Sequence, residues 1–486
     1  MTPGLNLKIA APAPIGGWLL AGFAVVAFAL ALAGFSWRFD YALDVADIPA
    51  WQLTAGLVCA GAAFVAIMSM LLERSRLREA ATARNALGTV FLAGLAARVI
   101  LLSSEPVLED DYYRYLWDGA VVSHGLDPYA YAPAMIAKGL APPTFLKLWD
   151  EAGLVAKRIN HKDVTTIYPP VAQAAFALAS TLKPWSLQAW RAVLIMFDVA
   201  TFALLVVALG TLGRSRLWVA LYWWNPLVLK ELFNSAHFEP LLFPFLLSAL
   251  LLADRRRPLA ASGALALAAG VKLWPVLLLP LILCAHEKQR GRAAAGALIF
   301  AVIMAFMLAP MLRGGLNETT GLTAYASNWH RNGALFSAVA SLFQDLAARL
   351  HIGDANSANA AARIAVALCV AVTAIAVAWR PIEEFSDLAA RALAVTAVLV
   401  FMMPAAYPWY SLWFLPFLVL APELGLLLLS MTMPLYYLFF HYAARDTPEV
   451  FSTIIVWLIW LPPLAVIIWQ YLTRTLRSGH LGGASP

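Results

Sequence analysis

Charge is scarce in this chain: Asp, Glu, Lys and Arg make up only 13% of its 486 residues, against about 25% in soluble domains. That deficit excludes an ordinary water-soluble enzyme. Cysteine is scarcer still. Cys59, Cys284 and Cys369 each sit in an apolar stretch, with no metal-type spacing, which argues against a disulfide framework or a cysteine-rich metal cluster. Fixed-period repeats and low-complexity linkers are also missing, so nothing suggests a solenoid or a separate soluble domain. What fills the chain is apolar: 62% of residues are hydrophobic and the mean hydropathy is +0.75. Long apolar runs recur from residue 16 to residue 473, and about 20 such residues cross a bilayer. The expected fold is therefore all-α, a polytopic transmembrane helical bundle of about 12–14 hydrophobic segments, some of them re-entrant.

The net charge of +6 sets the orientation and does not point to nucleic acid, because the arginines cluster in short loops between apolar runs. Lys8 precedes the run from Gly16 to Phe35, which is too long for a signal-peptide core and is taken as the first span. Further spans fall near 51–72 and 86–104, and the loop between them holds Arg74, Arg76, Arg78 and Arg84. The positive-inside rule makes that loop cytoplasmic, together with the later loops carrying Arg255 to Arg257, then Lys288, Arg290 and Arg292, and finally Arg474 and Arg477. Two long loops, 105–166 and 313–360, then face outward. Parity does not close if Arg214 and Arg216 are also cytoplasmic. The stretch 167–183, bracketed by Pro169, Pro170 and Pro184, is therefore expected to re-enter. The stretch 259–285 is expected to form two half-length helices meeting near Lys272.

Candidate chemistry opens the first outward loop, in the run Glu109, Asp110, Asp111, Tyr112, Tyr113, Arg114, Tyr115, Leu116, Trp117, Asp118, Gly119. On a helix, Asp111, Arg114 or Tyr115, and Asp118 share one face. An ionised Asp there takes a proton from a hydroxyl, and a neighbouring Arg favours the carboxylate or neutralises a phosphate. A solvated helix with internal ion pairs is the plainer reading of such a run. Polar residues recur inside apolar surroundings at Lys230, Glu231, Asn234, His237, Glu239 and Lys272, where buried charge usually faces a cavity. Lys272 could also pair with Asp198 or snorkel, and His237 could be a hydrogen-bonded core histidine.

In order, these residues resemble a family. The pattern Asp110, Asp111, Arg114, Tyr115, Trp117, Asp118, Gly119, then Gly125, Asp127, Pro128, Tyr129 and Pro133 is similar to the first outer loop of membrane glycosyltransferases of the C-type fold. The similarity is to the bacterial polyprenyl-phosphate-mannose-dependent mannosyltransferase branch (glycosyltransferase family 87-like). Tyr168, Pro169, Pro170; Asn234, His237, Glu239; Gly270, Lys272, Pro275; and Tyr407, Pro408, Trp409, Tyr410 continue the resemblance. It implies a catalytic core over 86–440, preceded by two helices and a basic loop over 1–85 and followed by a final helix and tail over 441–486. It also lays the catalytic base on Asp111, with Asp110 as the alternative that spacing does not separate. Relatives often carry Asp at the position of Glu239, which leaves the role of Glu239 open.

The implied activity is inverting transfer of a hexose, with mannose expected, from a polyprenyl-phosphate sugar to a lipid-linked or envelope glycan. The membrane is expected to be the bacterial inner membrane, with the active site on its periplasmic face. Such transfer passes through an oxocarbenium-like centre, so a base activates the acceptor while cations stabilise the departing phosphate. Arg114, Lys272, His330 and Arg331 are the candidate cations. Tyr115, Asp118, Tyr168, Asn234, His237, Glu239, Tyr407 and Trp409 are candidate substrate contacts, although the aromatics also fit an interfacial belt. The resemblance implies no cofactor and no divalent metal. The expected partners are membrane lipids, the sugar donor and the glycan acceptor, with no nucleic acid. A transporter or flippase of lipid-linked glycans is the alternative, but the paired broken helices of repeated halves that transporters commonly show are not evident.

Overall fold

The structure is a computed structural model and describes residues 15–481 except 40, 42, 75–79, 286–289, 314 and 316–319. Lys8, Arg76, Arg78 and Lys288 lie outside the described residues, as do the side chains of Arg74, Arg290, Asn328, Arg474 and Arg477. The described residues contain helices and no strand.

The chain opens with α1 (Ile15–Ser36), α2 (Ala50–Arg74) and α3 (Ala80–Leu101). It continues through α4 (Asp111–Ser123), α5 (Pro170–Leu182) and α6 (Leu187–Thr211). Two broken segments follow: α7 (Pro226–Asn234) with α8 (Glu239–Asp254), then α9 (Pro258–Ala269) with α10 (Trp274–Cys284). After α11 (Arg290–Leu312) come α12 (Gly321–Asn328), α13 (Ala334–Leu350), α14 (Ala355–Trp379) and α15 (Phe385–Met402). The chain closes with α16 (Pro408–Leu420), α17 (Leu424–Ala443) and α18 (Pro448–Thr473). Nine described helices are long and apolar enough to cross a membrane, and the bent pair α7/α8 makes a tenth candidate; α5, α9, α10 and α16 are shorter apolar segments. An all-α polytopic membrane protein is thus what the chain forms. Phe23, Phe306 and Trp379 are 75%, 82% and 84% exposed on α1, α11 and α14, as lipid-facing side chains would be.

The interrupted segments have local causes. α5 starts at Pro170, where a proline at the first helical position costs no hydrogen bond. α9 and α10 flank Lys272, which occupies the break between two half-length helices as the sequence predicts. α7 and α8 meet at 102°, with a π-helical turn over Leu229–Asn234 and Ala236 at φ 65°. The carbonyls freed at this bend are not orphaned. Trp190 Nε1 donates to Ala236 O at 2.8 Å, and Arg191 Nη2 donates to Asn234 O. Irregular backbone at membrane depth persists only with such partners.

One buried ion pair staples α3 to α6. Arg98 Nε meets Asp198 Oδ2 at 2.6 Å, with both side chains 0% exposed. Arg98 Nη1 donates to Gly94 O and Trp223 O at 2.9 Å each, and Tyr222 donates to Asp198 Oδ1. Asp198 therefore pairs with Arg98 and not with Lys272, because α3 rather than the α9/α10 break lies beside it.

Candidate active site

Leu108 turns the chain through a left-handed conformation, φ 58°, immediately before Glu109, Asp110 and Asp111, strain of the sort that persists where surrounding structure fixes it. Asn234 supplies that fixing. Its Oδ1 accepts from Val107 N at 3.2 Å, and its Nδ2 donates to Glu105 O at 2.7 Å and Ser104 Oγ at 3.0 Å. α4 then runs away from the acids and packs on α5. Gly119 has no side chain there because a Cβ would collide with the Phe176 carbonyl.

Asp110 and Asp111 share one amide: Asn160 Nδ2 donates to Asp110 Oδ1 at 2.8 Å and to Asp111 Oδ1 at 2.6 Å. Tyr115 Oη donates to Asp111 Oδ2 at 3.4 Å. The Tyr115 ring is itself fixed by stacking on Phe176, 4.9 Å between centroids, and by edge contacts with Tyr168, Trp190 and Phe238. His237 lies behind Asp111, with Nδ1 4.0 Å from Asp111 Oδ2 and Nε2 3.6 Å from Glu109 Oε2, and stacks on Trp409 at 3.8 Å. Neither ring nitrogen makes a hydrogen bond among the described residues. Burial and the neighbouring Asp111 push the Asp110 carboxyl up to about 6, with the Asn160 hydrogen bond opposing. Burial also raises Glu109.

These acids border a cavity of about 1350 Å³, within the size range of small-molecule sites. Of the fourteen sequence-predicted residues, Asp110, Asp111, Arg114, Tyr115, Tyr168, Lys272, Arg331, Tyr407 and Trp409 line it. The other five stand elsewhere for physical reasons. Asp118 is buried against Arg114, Nε to Oδ1 2.9 Å, and accepts from Gln173 at 3.0 Å, so this part of the acidic run is an internal ion pair. Asn234 spends its amide on the 104–107 backbone. Glu239 binds Lys272 and accepts from Trp413 Nε1 at 3.2 Å, which makes it the counter-ion of Lys272. His237 sits behind the wall, and His330 is exposed, 3.2 Å from Ser337 Oγ.

Lys272 is flanked by the rings of Phe238, Tyr410 and Trp413 at 4.4, 4.7 and 5.1 Å. Arg331 is held by its backbone, N to Pro404 O at 3.1 Å and Ala406 N to Arg331 O at 2.8 Å, with its guanidinium over Phe439 at 4.0 Å. The Asp127, Pro128, Tyr129 motif also has a mechanical role. Asp127 Oδ1 caps Tyr129 N at 2.9 Å, and Tyr129 Oη donates to Tyr168 O at 2.8 Å, tying the loop to the start of α5.

Sequence reasoning missed Asn160, Arg158 and Arg363, all of which line the cavity; only a cluster of polar residues at 157–163 could have hinted at the first two. Glu109, Glu231 and His237 each offer a ligand atom within 4.8 Å of the others. Lys230 Nζ stands 3.4 Å from Glu231 Oε1, however, and supplies positive charge at that point.

An all-α polytopic membrane protein whose broken helices and long loops enclose a cavity with carboxylates, cations and aromatic rings is the class that fold and site define. The chain belongs to the family described as Alpha-(1->6)-mannopyranosyltransferase, N-terminal domain, whose profile matches residues 17–288. That stretch takes in α1 and α2 as well as Asp110, Asp111 and Lys272. The chain is also 27% identical over 346 residues to Alpha-(1->6)-mannopyranosyltransferase A of Mycobacterium tuberculosis, covering 66% of this chain and 63% of that relative. This chain thus spans less than two thirds of the relative's length. No solved structure matches.

Proposed function

We propose that this protein is an inverting mannosyltransferase of the bacterial inner membrane. It takes mannose from a polyprenyl-phosphate donor and transfers it to a hydroxyl of a lipid-linked or envelope glycan on the periplasmic side. The observation that carries this reading is the pairing of Asp110 and Asp111 under one Asn160 amide in a large cavity also lined by Lys272 and Arg331. Family membership and the relative's name support mannose as the sugar and an α-(1→6) bond as the product.

Asp111 takes the acceptor hydroxyl's proton as that oxygen attacks the anomeric carbon. The bond from that carbon to the phosphate oxygen breaks, and its electron pair leaves with the polyprenyl phosphate. Arg331 and Lys272 stabilise the charge gathering on the phosphate. A single displacement giving an α-linked product requires a β-linked donor. With two cations in the cavity the step is proposed to need no divalent ion, so transfer should persist in excess chelator.

The test uses purified wild type, Asp111→Asn and the exposed-helix control Asp345→Asn. Transfer of label is followed from synthetic polyprenyl-phosphate mannose to a membrane-lipid extract. Wild type and control should transfer, and a folded Asp111→Asn should not. Equal transfer by all three would move the base to Asp110.

A further inference from the structure

The connection between α1 and α2 belongs to none of the machinery described above, yet Trp37, Phe39 and Tyr41 line the same cavity as Asp111. It is pinned on two sides. Arg158 lies 4.4 Å over the Tyr41 ring and donates to Tyr113 Oη at 2.7 Å, and Tyr41 meets Tyr113 edge-on at 6.1 Å. At its other end the 3-10 turn Val45–Asp47, capped by Asp44 on Ala46 N at 2.9 Å, packs against the last part of α17. Trp37 and Tyr41 nevertheless stay 65% and 55% exposed. The segment is thus anchored between the first long loop and α17 while Trp37 and Tyr41, one ring face of Tyr41 covered by Arg158, stay largely exposed in the cavity lining.

Open aromatic faces beside a guanidinium suit one ligand chemistry well. The C–H faces of a pyranose ring stack on aromatic rings, and sugar hydroxyls accept from the Arg158 donors. A polyprenyl tail would need no guanidinium, and a belt residue would turn its ring to lipid and not to a cavity holding the acids. We infer that Trp37, Tyr41, Tyr113 and Arg158 form a glycan subsite that holds the sugar units behind the accepting residue, so that the protein prefers to extend an oligosaccharide chain. This inference rests on the transferase reading. It adds that the connection between α1 and α2, with Tyr113 and Arg158, selects acceptor length.

The experiment compares kcat/KM for a two-sugar and a five-sugar acceptor in wild type, Trp37→Ala/Tyr41→Ala and the aromatic-preserving Trp37→Phe/Tyr41→Phe. Calorimetry of the five-sugar oligosaccharide on Asp111→Asn protein, with and without Trp37→Ala/Tyr41→Ala, accompanies it. The long-to-short preference should fall about tenfold in the alanine pair and return in the phenylalanine pair, as loss of an anchoring aromatic contact gives. Calorimetric affinity should weaken by a similar factor. An unchanged long-to-short ratio, including one in which both acceptors decline equally, overturns the subsite. If wild type transfers to neither acceptor, the transferase reading fails, and calorimetry alone then decides the subsite: equal affinity in both proteins overturns it.

Discussion

Two groups of buried charge can be compared directly, the Arg98–Asp198 pair and the acids around Asp111. In the first, both carboxylate oxygens of Asp198 accept hydrogen bonds, one from Arg98 and one from Tyr222, and all three groups are closed off from the cavity. In the second, two carboxylates share a single amide, an imidazole stands behind them without a hydrogen bond among the described residues, and the cations Lys272 and Arg331 line the same cavity. Charge inside a membrane protein is expensive either way. Where a carboxylate has a donor for each oxygen and is closed off with its counter-ion it acts as a staple, and where two carboxylates share one donor at a cavity wall they are available to a ligand.

Replacement of the proposed base is the sharpest way to break that contrast. Asp111→Asn keeps the shape and the Asn160 contact but removes the proton acceptor, and transfer should fall about 1000-fold with melting temperature unchanged. Asp198→Asn should do the reverse. Leaving Arg98 buried without its counter-charge should lower stability by about 3 kcal/mol, read by detergent-phase thermal unfolding, while specific activity of the folded fraction stays at the wild-type level. Equal losses of activity in the two variants would erase the distinction between staple and site.

Lys272 lies between the two cases, since Glu239 already neutralises it while it lines the cavity. Lys272→Met should reduce transfer about 100-fold if its charge meets the phosphate. It also strands Glu239, so Lys272→Met/Glu239→Gln is the cleaner protein. Recovery of stability without recovery of rate in the double variant is the expected result. Recovery of both would assign Lys272 to the fold alone.

How much of this could be read in the sequence follows from what the solvent imposes. A bilayer requires about 20 apolar residues per span and satisfied backbone, so the helices, the half-helices around Lys272 and the short α5 are written in composition and in proline placement. Lys272 stands out for the same reason, as charge in apolar surroundings, whereas Asp111 stands out in an acidic run directly after a span and by its match to a family pattern. Asn234, Asp118 and Glu239 stand out equally, but their partners are the 104–107 segment, Arg114 and Lys272, which only the packing reveals. Asn160, Arg158 and the 37–48 connection carry no periodicity or isolation at all. They reach the cavity because loops fold back over it, and contacts between loops leave no spacing rule in a sequence.

The pH dependence gives the finest comparison within the site, because Asp110 is held near 6 by burial and by Asp111, far from its ordinary value near 3.8. The two acids accept from one Asn160 amide. Below about 6 Asp110 keeps its proton and adds no negative charge beside the acceptor hydroxyl, so transfer should rise with pH through about 6 and then level, by about tenfold per unit on the acid side. Stability has the opposite sign. Between 3.8 and about 6 the unfolded chain has released this proton while the folded protein retains it, so the contribution of Asp110 to stability falls as pH rises through that window. Asp110→Asn should flatten both curves near pH 6. A rate profile that keeps its rise in Asp110→Asn would place the titration on another group and separate Asp110 from the base.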